Sequence, residues 1–151
     1  MPPVTPFLWF DDSAEEAMRF YVSIFKNSRV LSTSPGPNGT VMGVEFELDG
    51  QRFMGLNGGP QFKFTEAISL FVSCKTQPEV DELWAKLSAG GDESRCGWLK
   101  DRYGLWWQIV PAALGEMLAD KDAEKAGRVM QAMLGMGKLD ISGLQRAYDG
   151  R

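Results

Sequence analysis

The chain has 151 residues, 44% of them hydrophobic, with 16 basic and 20 acidic side chains, a formal charge of −4 and no histidine. That is enough material for one well-buried core and short for two independent ones, so a single domain is expected. The acidic balance, without a dense basic cluster, offers nucleic acid no electrostatic footprint, and no segment reaches the roughly 18 uncharged apolar residues of a membrane span. MPPVTPFLWFDD lacks the basic flank and long apolar run of a leader, so a cytoplasmic protein is expected. Cys74 and Cys96 are too few for a disulfide framework and read as buried thiols.

Thr5 to Phe10 is an apolar run entered through a proline, which suits a strand beginning at an edge. Ser13-Ala14-Glu15-Glu16 has the form of a capping box, and Ala14, Ala17, Met18, Tyr21, Ile24 and Phe25 follow at helical spacing. Asn27 suits the left-handed end of that helix, Arg29 to Thr33 a short strand, and Ser34-Pro35-Gly36-Pro37-Asn38-Gly39 a loop. From Thr40 to Asn57, two alternating runs flank Asp49-Gly50, which favours a type I′ turn with Leu48 facing Gln51, Glu47 facing Arg52 and Phe46 facing Phe53. One face then carries Met42, Val44, Phe46, Phe53, Gly55 and Asn57, and the other Glu45, Glu47, Arg52, Met54 and Leu56. The first face is the better candidate for lining a cavity; an ordinary core face beneath a helix is the alternative, since alternation alone does not separate the two.

The second half repeats this grammar. Ala67 to Cys74 reads as a strand, Thr76-Gln77-Pro78-Glu79 as a second capping box, and Val80, Leu83, Trp84 and Leu87 as a helical stripe ending at Gly90-Gly91. Cys96 to Pro111, CGWLKDRYGLWWQIVP, reads as a hairpin turning at Asp101-Arg102-Tyr103-Gly104, where the glycine supplies positive φ. Pairing Lys100 with Leu105 places Cys96 with Trp98 and Trp107, opposite Gln108, unless a bulge at Gly104 alters the register. Gln108 is an amide inside an otherwise greasy strand and therefore needs a partner. Strand, capped helix and strands occur twice, which predicts an α+β fold of two βαβββ modules, about 1–60 and 61–111, curling around a shared cup. Beyond Pro111 the composition turns to Ala, Met, Lys and Asp: residues 112–151 read as a helical extension of the same domain. Asp122 to Met136 and a short helix capped by Asp140 are its main elements.

The strings TPFLWFD, AEEAMRFYVSIF, GPNGTVMGVEFELDGQRFMGLNGGPQFKFTEAIS, CGWLKDRYGLWWQIVP and RVMQAMLGMGKLDISGLQRAY resemble the PhnB-like branch of the glyoxalase, bleomycin-resistance and extradiol-dioxygenase superfamily, the vicinal oxygen chelate proteins. Members of this branch often carry the label 3-demethylubiquinone-9 3-methyltransferase. The resemblance covers nearly the whole chain and implies paired βαβββ modules and a homodimer. It also implies where a divalent ion would sit in metal-dependent relatives, which hold it with one His or Glu at each of four strand positions. Here those positions fall near Pro6, Gly55, Ile68 and at Gln108, and side chains of this kind are poor donors, so no metal is expected.

Other chemistry is thin. No G-x-G-x-x-G stands ready for S-adenosylmethionine, and Gly55 to Gly59 leads into Pro60 rather than a helix, so no cofactor is expected and methyltransferase activity is disfavoured. Relatives carry a small residue, often serine, where this chain has Trp106, which narrows the expected cup; the Ser34 to Gly39 loop is also shorter than theirs, so a lid is not expected. The reading that follows is a metal-free dimer binding a small, partly aromatic molecule beside Phe53, Gly55, Asn57, Trp106 and Gln108. A lyase or isomerase with an unrecognised catalytic group is the alternative, and a partner-binding helical tail a weaker third.

Overall fold

The Asp49–Gly50 turn sets the first sheet. Both residues have positive φ (47° and 82°), as a type I′ turn requires, and the expected pairs Phe46–Phe53, Glu47–Arg52 and Leu48–Gln51 are in register. The computed structural model describes residues 2–151. Its chain divides into two compact units, one ending at Phe64 and the other beginning at Thr65.

The first unit runs β1 (Phe7–Phe10), α1 (Ala14–Ile24), β2 (Arg29–Pro35), β3 (Val41–Leu48) and β4 (Gln51–Asn57), with strand order β1-β4-β3-β2 and β1 parallel to β4. Helix α1 buries Ala14, Ala17, Met18 and Tyr21 on the sheet face formed by Leu8, Phe10, Val44, Phe46 and Phe53. Burying each of the larger side chains contributes about 1.5–3 kcal/mol. The face carrying Phe46, Phe53 and Gly55, expected to line a cavity, is thus the helix-covered one, because the apolar stripe of α1 packs on it. Glu45 and Glu47 stand on the other, paired with Arg52 and Arg29.

The capping box expected at Ser13 does not form: Ser13 makes no side-chain cap bond, and the first-turn amide of Ala14 donates instead to Asn57 Oδ1 at 2.8 Å. An amide arriving from β4 meets the need that the local motif leaves unmet, because the helix start is packed against the strand end. The second box does form. Glu79 N donates to Thr76 Oγ1, and Glu79 Oε1 accepts from Thr76 N at 3.2 Å and Lys75 N at 3.0 Å.

The second unit repeats the order: β5 (Leu70–Cys74), α2 (Gln77–Ser88), β6 (Asp92–Glu93), β7 (Trp98–Lys100) and β8 (Trp106–Pro111), with strand order β5-β8-β7-β6 and β5 parallel to β8. Two βαβββ modules are therefore present, as the repeated grammar predicts. β5 begins three residues later than Ala67, and β7 is cut short because Cys96 and Gly97 both take positive φ (58° and 86°).

Helices α3 (Ala112–Leu118), α4 (Ala123–Leu134) and α5 (Ile141–Asp149) are built into this unit rather than hung from it. Val110 of β8 shares an apolar cluster with Leu114, Met117, Val129, Leu139 and Leu144. The backbone N–H groups of Cys96 and Gly97 donate to the carbonyls of Met136 and Gly137, and Gln77 of α2 spans Leu139 O and Ile141 N. Asp140 caps α5 as read from the sequence, and Asp122 caps α4. Among the described residues no helix is long and apolar enough to cross a membrane.

Candidate functional site

The site grows from strand β8. Its alternation sends Trp107 and Ile109 into the core on the same side as Val80, Trp84 and Leu87 of α2, and leaves Trp106 and Gln108 half-buried on the opposite face. What fixes that alternation is Asp101, only 1% exposed: Oδ1 accepts from the amides of Tyr103 (2.8 Å) and Leu105 (3.1 Å), and Oδ2 from the Trp107 indole (2.8 Å). The turn consequently spans Asp101 to Leu105, closed by Asp101 N donating to Leu105 O, with Gly104 at φ 89°.

This corrects the expected register. Lys100 pairs with Trp106, not Leu105, so Leu99 opposes Trp107 and Trp98 opposes Gln108. Parallel pairing on the other side of β8 sets Phe71 opposite Gln108. Phe71, Gln108 and Trp98 thus stand in one row across three strands, about 4.8 Å apart per strand. Cys96, expected opposite Gln108, lines the same cleft with it. The positive φ at Cys96 and Gly97 takes the chain off simple alternation there.

Around this row lies a cleft of about 390 Å³. Phe71, Ser73, Trp98 and Gln108 come from the strands, while Leu114 and Leu118 of α3 and Met133 of α4 form its apolar wall. No Lys, Arg, Asp or Glu is among the described residues that line it. Gln108 Nε2 donates to Ser69 Oγ at 2.8 Å, and among the described residues Gln108 Oε1 accepts no hydrogen bond. Trp106 stands beside the cleft, edge-on to Trp98 with ring centroids 6.5 Å apart and Lys100 Nζ 5.9 Å from its own ring.

The remaining expected residues belong to the first unit. Phe53, 6% exposed, stacks on Phe46 at 5.3 Å, and Gly55 lies where an added Cβ would approach Leu8 O and Val44 Cγ2 to 3.2 Å. Asn57 uses both ends of its amide, accepting from Ala14 N and donating to Val41 O at 3.1 Å. It borders a wider groove of about 770 Å³ that also carries Asp12, Glu15, Glu16 and Met42. We favour the smaller cleft as the candidate site because its amide keeps an acceptor uncommitted, whereas the groove's amide is spent on structure.

Sequence reasoning missed Phe71, Ser73, Trp98 and the helical wall. The glycine at 104 was the available signal for Trp98, since a bulged turn moves it beside Gln108. Nothing local announces Phe71, which meets Gln108 only through parallel pairing of strands distant in sequence.

Neither implied cofactor fits these residues. Near the four positions that the resemblance implies for metal ligands, Pro6 and Ile68 offer no side-chain donor atom, Gly55 faces the helix-covered side, and Gln108 presents a neutral amide. Among the described residues no group of three or more His, Cys, Asp or Glu is placed to hold a metal ion. The glycine cluster is no nucleotide cradle either. A Cβ at Gly58 would lie 2.4 Å from the Trp9 ring, so the chain's own indole fills that space, with its Nε1 donating to Gly59 O at 2.9 Å.

Two βαβββ modules, each with a parallel outer pair, define a chain of the glyoxalase and bleomycin-resistance type. Residues 2–110 match the family model described as 3-demethylubiquinone-9 3-methyltransferase. The chain belongs to that family, the PhnB-like branch of the vicinal oxygen chelate proteins. It is similar to the PhnB protein of Bacillus cereus at 37% identity and a TM-score of 0.69, over 74% of this chain and 100% of that one. Pseudomonas aeruginosa PA1353 (17% identity, TM-score 0.62, 74% and 98% covered) and the Listeria monocytogenes fosfomycin resistance protein FosX (17%, 0.58, 79% and 98%) share the fold. No curated protein matches in sequence.

Proposed function

We propose that this protein binds a small, largely apolar molecule in the second-unit cleft, using the Gln108 amide to orient it and no metal ion. The observation that carries this reading is the uncommitted Gln108 acceptor in an apolar cleft, flanked by Phe71 on one side and Trp98 on the other. A half-buried acceptor without a protein partner is costly to dry and is satisfied when a bound molecule donates to it. At about 390 Å³ the cleft lies at the lower end of small-molecule sites, which span roughly 300–1,000 Å³.

The same reading makes the protein a cytoplasmic homodimer. Large apolar side chains left exposed, Phe7 and Phe62 in the first unit and Ile68 in the second, supply surface for a second copy. Light scattering after gel filtration reads the stoichiometry. For the cleft, a thermal-shift screen of small aromatic metabolites compares the wild type with Gln108→Ala and Phe71→Ala. Hits should stabilise the wild type and lose most of that stabilisation in both variants. Equal stabilisation of all three proteins places binding elsewhere and ends the proposal.

A further inference from the structure

We infer that the molecule taken by this cleft is uncharged, carries a ring, and offers a hydroxyl or N–H donor. The inference rests on the binding function proposed above and narrows it. The first ground is charge. The described residues that line it include no Lys, Arg, Asp or Glu, so an anionic ligand such as a phosphonate or carboxylate would give up its hydration without meeting a counter-charge. The basic group nearest the row by register, Lys100, stands beside Trp106 and is turned to that ring.

The second ground is shape and polarity. Phe71 and Trp98 flank Gln108 across adjacent strands, so a planar ring lying over the amide meets an aromatic side chain on either side. Offset or edge contacts of this kind add about 0.5–1.5 kcal/mol per pair beyond area burial. Ser69 takes one of the two Nε2 hydrogens, which leaves Oε1 to accept and the second hydrogen to donate; a hydroxyl or N–H on the ligand meets the otherwise unpartnered Oε1, which an ether oxygen cannot.

Three probes of matched size test this on the intact chain at pH 7 by titration calorimetry: 2-naphthol, 2-methoxynaphthalene and 2-naphthoate. We expect 2-naphthol to bind at least about tenfold more tightly than 2-naphthoate and several-fold more tightly than 2-methoxynaphthalene. Gln108→Leu should erase the advantage of naphthol over its methyl ether. Ser73→Trp fills the cleft from an exposed strand position and should abolish binding of every probe, with circular dichroism confirming the fold of both variants. Naphthoate binding as tightly as naphthol, yet lost in Ser73→Trp, overturns the ligand class and leaves the site standing. Equal binding of naphthol and its ether removes the donor requirement and overturns the inference in that part. Binding that survives Ser73→Trp, or no binding by any probe, brings down the site and the inference together.

Discussion

Asp101→Ala is the most informative single change, because one buried carboxylate holds the turn that sets the register of the candidate site. Its removal strands three donors, of which the Leu105 amide and the Trp107 indole belong to residues only 1% and 2% exposed. A hydrogen bond to a charged acceptor contributes about 1.5–3 kcal/mol, and an abandoned buried donor costs about 1–3 kcal/mol. Taking the two buried donors at the lower half of that second range gives a loss of about 2–4 kcal/mol. Asp101→Asn keeps Oδ1 for the two amides but turns an NH₂ toward the indole N–H, so about 2 kcal/mol should go. Urea unfolding followed by tryptophan fluorescence, read as a shift in midpoint at constant slope, measures both. A loss below about 1 kcal/mol for alanine, or a larger loss for asparagine than for alanine, would refute the role assigned to this carboxylate.

Other outcomes follow from the same geometry. Asn57→Ala should cost about 1–2 kcal/mol by uncapping α1, whereas Ser13→Ala should stay within about 0.5 kcal/mol; comparable losses would restore the local box. Burial pushes the Cys74 thiol up to about 11 from 9.0, with the Glu79 charge adding to it. Below pH 9 both folded and unfolded chains keep that proton; between pH 9 and 11 only the unfolded chain releases it, so stability falls by about 2 kcal/mol across this window. Cys74→Ala should flatten that limb of a stability-against-pH curve, and an unchanged limb would sink the assignment. Thiol labelling at neutral pH should modify Cys96 faster than the buried Cys74. Dialysis against EDTA should leave the melting temperature within about 1 °C of its starting value, since a bound ion lost from the folded state would lower it.

Chemistry confined to a few consecutive residues was legible without a structure. Asp49-Gly50 dictates its own positive φ angles and with them the pairing of β3 and β4. Thr76 and Glu79 are close enough along the chain to cap each other. The recurrence of strand, helix and strands announced the two modules, and a lone amide in a greasy strand singled out Gln108. Alternation defines two faces of a strand but carries no record of which face a helix will cover, so the outward or inward sense of Phe53 and Gly55 was not legible.

Tertiary packing decided the rest. Asn57 displaces Ser13 as the α1 cap because β4 brings its amide to the helix start, and a contact between distant residues leaves no local signature. Asp101 adds a residue to the turn by reaching Trp107, which moves Trp98 beside Gln108. The cleft itself needs the parallel partner β5 on one side and helices α3 and α4 on the other. Local sequence fixes backbone angles because they depend on neighbouring atoms; the site depends on which surfaces exclude water from one another, and only the folded chain chooses those.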